Sequence, residues 1–234
     1  MTVVSAADAR DEADVAASAL GIVIAPAPVG PLVEFLETIW GDGRAGDPSF
    51  IAAVAHAGNS VLLATRDGVA VGAALGVLGW AGGPHLHSHM VAVANTERGG
   101  GVGFAIKLAQ RAECLENGVT EMRWTFDPLI RRNAHVNLVK LGAEVIAFHP
   151  NFYGTLDDAI NGTDATDRFE VGWRLDRPVG SVAVEGPADF ELPADYESLR
   201  RSDTAAASAL RSASTAAFLS ATSFAFSGDG YVLA

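Results

Sequence analysis

Apolar and polar positions alternate in two rhythms along this chain, one helical and one of period two. Residues 6 to 19, "AADARDEADVAASA", predict an amphipathic helix. "GIVIAP" reads as a short strand stopped by Pro26 and Pro28, and "PLVEFLETIW" as a helix with Pro31 near its first turn. "DPSFIAAVAHAG" predicts a second helix of the same kind, with Asp47 placed to cap it, Pro48 at the first position and Gly58 at its end. "SVLLATRDGVAVGAALGVLGW" gives two strands around Asp67-Gly68, a dipeptide suited to a two-residue hairpin turn. "HLHSHMVAVA" is the next strand, and "GVGFAIKLAQRAECLENG" a long helix stopped by Gly118. A strand "VTEMRWTF", a helix "PLIRRNAHVNLVKLG" entered through Asp127-Pro128, and strands in "AEVIAFH" and "DRFEVGWRLDRP" follow.

This order predicts an α/β fold with a mixed central sheet and helices on both faces. One domain is expected over residues 1–180, including the N-terminal helix, and a helix-strand extension over 181–234. That extension contains "ESLRRSDTAAASALRSASTAAFLSA", Ala/Ser-rich and helical, and a final "GYVLA". "AFLSATSFAF" and "YVLA" are too apolar for a solvated tail, so the extension is expected to pack on the domain, within the chain or across a homodimer.

Composition narrows the function classes. A net charge of −12 argues against nucleic acid as a partner, because phosphate neutralisation needs a basic footprint. Its distribution is uneven: residues 85–150 hold seven basic and six acidic side chains, and the remainder carries the whole negative excess. A locally basic segment in an acidic protein suits an anionic cofactor. No membrane span is expected, since the longest apolar run, "GVAVGAALGVLGWAGG", is short and glycine-rich. The acidic N-terminus has the wrong sign for a targeting leader, which leads to an expectation of a cytoplasmic protein. Cys114, the single cysteine, excludes an internal disulfide and a multi-cysteine metal cluster, and it reads as a small core residue.

Two stretches carry candidate chemistry. His85, His87 and His89 occupy alternate positions, so on a regular strand all three imidazoles share one face. They can be a metal site, a proton-transfer site or the polar lining of a wet cleft. Residues two apart on a strand are separated by about 7 Å and residues four apart by about 13 Å, so two of the three can share an ion and all three cannot. No acidic residue intervenes to complete a metal site, and none is expected. The second stretch, "ERGGGVGFAIKLAQ", joins strand to helix through Gly99, Gly100, Gly101 and Gly103, where free N–H groups and the helix dipole favour an anion. It is neither a P-loop nor a dinucleotide fingerprint, and tight packing without a ligand also accounts for it.

With these residues in place the sequence resembles the GCN5-related N-acetyltransferase (GNAT) superfamily. Arg98-x-x-Gly101-x-Gly103 is similar to its pyrophosphate loop for acetyl-CoA, and "RNAHVNLVKLGA" to its following helix motif. Together with "LHSHM", "RWTFDPL" and "NFYG", the set resembles a subgroup of predicted acetyltransferases with largely unassigned substrates, over roughly residues 20 to 175. The resemblance implies that acetyl-CoA enters between splayed strands "HMVAVA" and "MRWTF". Its arm would pair with the backbone of Val91 and Val93, and its pyrophosphate would be held by Arg98, Gly99, Gly100, Gly101, Val102 and Gly103. Asn133 would lie beside the arm, and Arg131, Arg132 or Lys107 would meet the 3′-phosphate. His87 stands where several members carry a catalytic Glu, and an imidazole with an ordinary pKa of about 6.5 suits removal of an amine proton. His89 is the next candidate, and a backbone N–H near Val93 would polarise the thioester carbonyl. Many members place a thiolate-protonating Tyr where this chain has Leu138, so Tyr153 in "NFYG" is the substitute. The implied activity is direct acetyl transfer to a small amine. A non-catalytic acyl-CoA-binding or regulatory module is the alternative, and a metal-dependent hydrolase would rest on the histidines alone.

Overall fold

The computed structural model describes residues 3–154, 156, 164–180, 184 and 186–234. A seven-stranded sheet runs in the order β1-β2-β3-β4-β5-β7-β6, with a separate three-stranded sheet in the order β8-β10-β9. The chain divides into two compact units, Met1–Trp124 with Arg174–Pro178, and Thr125–Trp173 with Val179–Ala234.

In the first unit α1 (Ala6–Ala19) opens with a capping box in which Ser5 and Asp8 satisfy each other's exposed N–H groups. After β1 (Val23–Pro26) come α2 (Val29–Trp40) and α3 (Pro48–His56), the latter capped by Asp47, whose carboxylate accepts from the Phe50 N–H at 2.9 Å. Strands β2 (Val61–Arg66) and β3 (Val69–Gly79) turn on Asp67 at φ 50° and Gly68 at φ 79°, as a type I′ hairpin requires. Strand β4 (His85–Val93), helix α4 (Val102–Glu116) and strand β5 (Glu121–Phe126) follow. Helices cover both faces of β2, β3 and β4. Leu32, Phe35, Leu36, Ile51 and Val54 from α2 and α3 bury one face against Ala73, Leu75 and Ala92. Val102, Ala105, Ile106 and Ala109 of α4 bury the other against Leu62, Ala64, Val71 and Ala74. Arg111, fully buried, fastens α4 to the returning segment through the carbonyls of Leu175 at 2.8 Å and Arg177 at 2.7 Å, and to α1 through Glu12 at 2.5 Å.

The second unit holds α5 (Arg131–Ala134), which runs into a π-helical turn over His135–Lys140, and the antiparallel pair β6 (Glu144–His149) and β7 (Arg168–Arg174). Beyond them lie β8 (Phe190–Glu191), α6 (Tyr196–Ser202), α7 (Thr204–Ser220), β9 (Phe224–Phe226) and β10 (Gly230–Leu233). The Ala/Ser-rich stretch breaks into two helices at Asp203, whose extended backbone at φ −145° lets its carboxylate cap α7 through the Ala206 N–H at 2.9 Å. Phe169 of β7 is surrounded by rings from the final segment: Phe224 at 4.6 Å, Phe218 at 5.0 Å and Tyr231 at 5.2 Å between centroids. Arg211 of α7 is 4% exposed. It donates to both oxygens of Asp127, at 2.9 and 2.6 Å, and to Asp164 at 3.0 Å, while the Tyr196 hydroxyl donates to Asp164 at 2.7 Å.

Removing the guanidinium would leave two carboxylates in a site built for a cation. Arg211→Ala is therefore expected to cost the fold about 3 to 5 kcal/mol, read as a lowered urea midpoint, whereas truncating the exposed Leu219 nearby should cost little.

Candidate functional site

The site in the first unit is organised by β4. Its antiparallel register with β3 pairs Leu75 with Met90 but Gly76 with Ser88, so His89 is an extra residue and the strand is bulged there. Before the bulge Leu86 and Ser88 face α4, Ser88 donating from Oγ to Gln110 Oε1 at 2.8 Å. After it the phase reverses: Val91 and Val93 pack toward α1 and α4, and Met90 and Ala92 toward α2 and α3. Strand β5 runs parallel to β4, and among the described residues the ladder between them consists of Leu86 with Met122 and His87 with Arg123. From Ser88 onward the two strands part.

The row of three imidazoles expected from strict alternation is thereby modified. His85 is buried, its Nδ1 2.8 Å from the Gly83 carbonyl oxygen and its ring over Gly79, where a Cβ would come within 2.6 Å of Nε2. It is a packed residue of the hairpin. His87 is half-buried, and His89 is exposed on the bulge, with 5.9 Å between their ring centroids. Crowding by protein desolvates the His89 imidazole and lowers its pKa, which keeps it neutral. Among the described residues no three His, Cys, Asp or Glu side chains are grouped to hold a metal ion.

At the far end of β4, a 3₁₀ turn over Asn95–Glu97 leads through the glycines into α4. Glu97 is ion-paired with Arg66, and the Gly100 N–H donates to its carbonyl at 3.1 Å, so the loop is fixed at its start. Arg98, Gly99 and Gly100 are exposed. Gly101 caps α4 at φ 97° with no side-chain acceptor for the first-turn N–H groups of Val102 and Gly103. A Cβ on Gly103 would touch Val93 at 3.4 Å, which places the helix start against the end of β4. A helix N-terminus with no side-chain cap on its first-turn N–H groups, standing at the end of β4, has the chemistry of an anion cradle.

On the α4 face, beneath the point of parting, lies a polar cluster in which only Lys107 was a candidate from the sequence, and for another task. Lys107, 5% exposed, donates from Nζ to Ser88 Oγ at 2.8 Å, approaches Met122 Sδ at 3.8 Å and sits 3.7 Å from the centre of the Trp124 ring. Burial holds its pKa well below the ordinary lysine value. Its ammonium is directed at β4 and β5 through these three groups, and not at the exposed glycine loop where the 3′-phosphate was expected to need it. Gln110, fully buried, donates to Ser60 at 3.3 Å, and Ser60 donates to Glu113 at 2.6 Å, whose carboxyl burial raises. The signal in the sequence was a lysine and a glutamine inside the apolar face "AIKLAQ". Cys114 is buried, and burial pushes its thiol up to about 12, so it is no nucleophile.

The remaining candidates belong to the second unit. Tyr153 is exposed, its hydroxyl 3.1 Å from Thr125 Oγ1 at the end of β5 and its ring 5.4 Å from the Arg168 guanidinium. Asn133 lies half-buried in α5. Arg131 is engaged with the Gly228 carbonyl at 2.9 Å and ion-paired with Asp229, and Arg132 pairs with Glu197 at 2.5 Å, so both guanidinia already have partners. Leu138, buried in the π-helical turn, has no proton to give.

No family model matches the sequence, and no curated protein matches it. The fold does match solved structures. A GNAT family acetyltransferase from Elizabethkingia anophelis with acetyl-CoA bound is 14% identical with a TM-score of 0.50, over 66% of this chain and 98% of that one. The ribosomal-protein-S18-alanine N-acetyltransferase from Escherichia coli is 12% identical with a TM-score of 0.51, over 70% and 99%. Ard1 from Thermoplasma volcanium is 18% identical with a TM-score of 0.50, over 66% and 97%. The chain thus has the fold of these acetyltransferase structures, a GNAT family acetyltransferase among them.

Proposed function

We propose that this protein is an acetyl-CoA-dependent N-acyltransferase that delivers an acetyl group to a small amine by direct attack. The observation that carries this reading is the slot where β4 and β5 part, continuous at its open end with the uncapped N-terminus of α4. Acetyl-CoA, when bound, supplies an acyl thioester as the electrophile. The chain fits it: Val102 and Gly103 offer N–H groups to the pyrophosphate, bare glycines let it approach, and the outer edge of β4 is open to an extended arm. Solved relatives of this fold that hold acetyl-CoA support the assignment.

Direction along the slot follows from the contact between Gly103 and Val93. Val93 marks the phosphate end, and Ser88, roughly 15 Å away along a bulged strand, marks the reacting end. The N–H that polarises the carbonyl is then sought at the bulge, near His89 and Met90, and not at Val93. His87 faces the α2 and α3 side of β4, opposite Ser88, and removes the proton of an amine arriving from that side, with His89 beside it as a neutral second acceptor. The opposing reading, a module that binds acyl-CoA without turnover, is favoured by the resemblance, which puts a buried leucine, Leu138, where many members carry a thiolate-protonating tyrosine.

Two outcomes follow. Gly103→Glu places a carboxylate where the pyrophosphate would sit, while its charge at a helix N-terminus favours the helix, so the fold should persist and acetyl-CoA affinity should fall at least 10²-fold by calorimetry. A folded variant with unchanged affinity would remove the cofactor assignment. His87→Ala is expected to lower kcat by about 10²-fold in an amine-panel thiol-release assay with little change in acetyl-CoA affinity, whereas His85→Ala should act mainly on stability. A wild-type protein that binds acetyl-CoA and never releases thiol would establish the binding-module reading instead.

A further inference from the structure

The acyltransfer reading leaves one chemical requirement open: something must receive the charge that appears on sulfur when the thioester breaks. We propose that Lys107 is that group, the acid that protonates the departing CoA thiolate from the α4 side of the slot. This inference rests on the acyltransferase reading and adds to it a residue that the family's motif does not mark.

The argument is one of position. Ser88 is the first residue of β4 beyond the last pair with β5, and Lys107 Nζ bonds it at 2.8 Å. Met122 Sδ at 3.8 Å and the Trp124 ring at 3.7 Å come from β5 on the same face. The ammonium therefore sits under the apex of the split, touching both strands where they separate. An arm that starts at the Val93 end and runs along β4 brings its sulfur to this apex. His87 points to the opposite face, so base and acid approach the reacting centre from opposite sides, one for the amine and one for the leaving sulfur.

The surroundings suit that task. Among the described residues no carboxylate pairs with Lys107, and the titratable group that acts on it is the Cys114 thiol of the same helix. A thioether, an indole face and a hydroxyl surround the ammonium, which leaves donor N–H bonds uncommitted to any anion. The chain behind it is polarised in one direction. Lys107 donates to Ser88, Ser88 to Gln110, Gln110 to Ser60 and Ser60 to Glu113. The carboxylate at its end turns every dipole so that the Ser88 lone pair faces Nζ and holds it in place. Because the chain passes through an amide it orients the ammonium and does not conduct protons. Desolvation lowers the lysine's pKa and so makes its ammonium a readier proton donor.

The step balances. The amine nitrogen forms its bond to the acyl carbon as the carbon–sulfur bond breaks, and that bond's electron pair stays on sulfur. Lys107 passes a proton from Nζ to the sulfur, and His87 holds the proton taken from the amine. As the thiol and amide leave, water takes the place of the sulfur beside Nζ and returns a proton to Lys107, and His87 releases one.

The test titrates the thiol of bound CoA, followed by thiolate ultraviolet absorbance, in wild type and in Lys107→Met, with the affinity of desulfo-CoA measured for each by calorimetry. In wild type the bound thiol should ionise about one to three pH units below free CoA, as an adjacent cation dictates. In Lys107→Met it should ionise at or above free CoA, with desulfo-CoA affinity within about twofold of wild type, and kcat should fall well beyond the effect of Tyr153→Phe. A thiol that titrates alike in both proteins, or in wild type no lower than in free CoA, overturns the proposal; the wild-type comparison decides even if the variant does not fold. A wild type that binds neither CoA nor desulfo-CoA overturns the acyltransferase reading, and this one with it.

Discussion

Among the described residues a parallel ladder of two residue pairs joins β4 to β5, and the acyltransfer reading depends on its shortness. Leu86 with Met122 and His87 with Arg123 are enough to bring β5 beside β4, and too few to keep it there. Parallel pairing needs a long crossover, and the crossover here is α4, whose N-terminus stands at the end of β4 and whose C-terminus turns back into β5. A ladder that ran the full length of β4 would satisfy its outer N–H and C=O groups and leave nothing for a ligand. By parting early, the strands expose a run of backbone donors and acceptors, and they do so beside a helix terminus whose own donors are unpaired.

The bulge at His89 is the companion constraint. A regular strand assigns each residue to a face for its whole length, so apolar packing on both sides of β4 would fix the histidines and the valines in one phase. One extra residue lets Ser88 face α4 while Met90 and Ala92 serve the opposite core. The middle of β4 thereby carries polar side chains, His87 and Ser88, on successive positions while apolar residues beyond the bulge serve both cores.

Much of the scaffold was legible because its signals are local. Asp47-Pro48, Asp67-Gly68 and Gly118 each act within a turn of the chain, and the structure places a cap, a type I′ turn and a helix stop at these residues. The start of the long helix was legible for the same reason: Gly101 stands at φ 97° as the residue before its first turn. What escaped was set by partners distant in sequence. The bulge depends on register with β3, the burial of His85 on the bare Cα of Gly79, and the break at Asp203 on a cap in a run where alanine spacing alone predicts continuity. Arg131 was read as free for a phosphate because Asp229, 98 residues away, carries no local mark as its partner.

Lys107 is the clearest case of a residue named in the sequence whose surroundings were not: expected at the 3′-phosphate, it lies buried against Ser88 and Trp124. Between Ile106 and Leu108 it lies on a buried helix face that also carries Gln110 and Arg111, and helical periodicity alone does not say which groups from other elements surround it. Burial of an ammonium without a carboxylate disfavours its charged form and lowers stability relative to a methionine of similar length. The same burial is what gives an ammonium a strong interaction with a developing negative charge, since neither water nor a resident anion competes for it. Its cost therefore falls on the folded state at rest, and its benefit appears only when charge forms in the slot, which is the condition a group must meet to speed a reaction without tightening the binding of what precedes it.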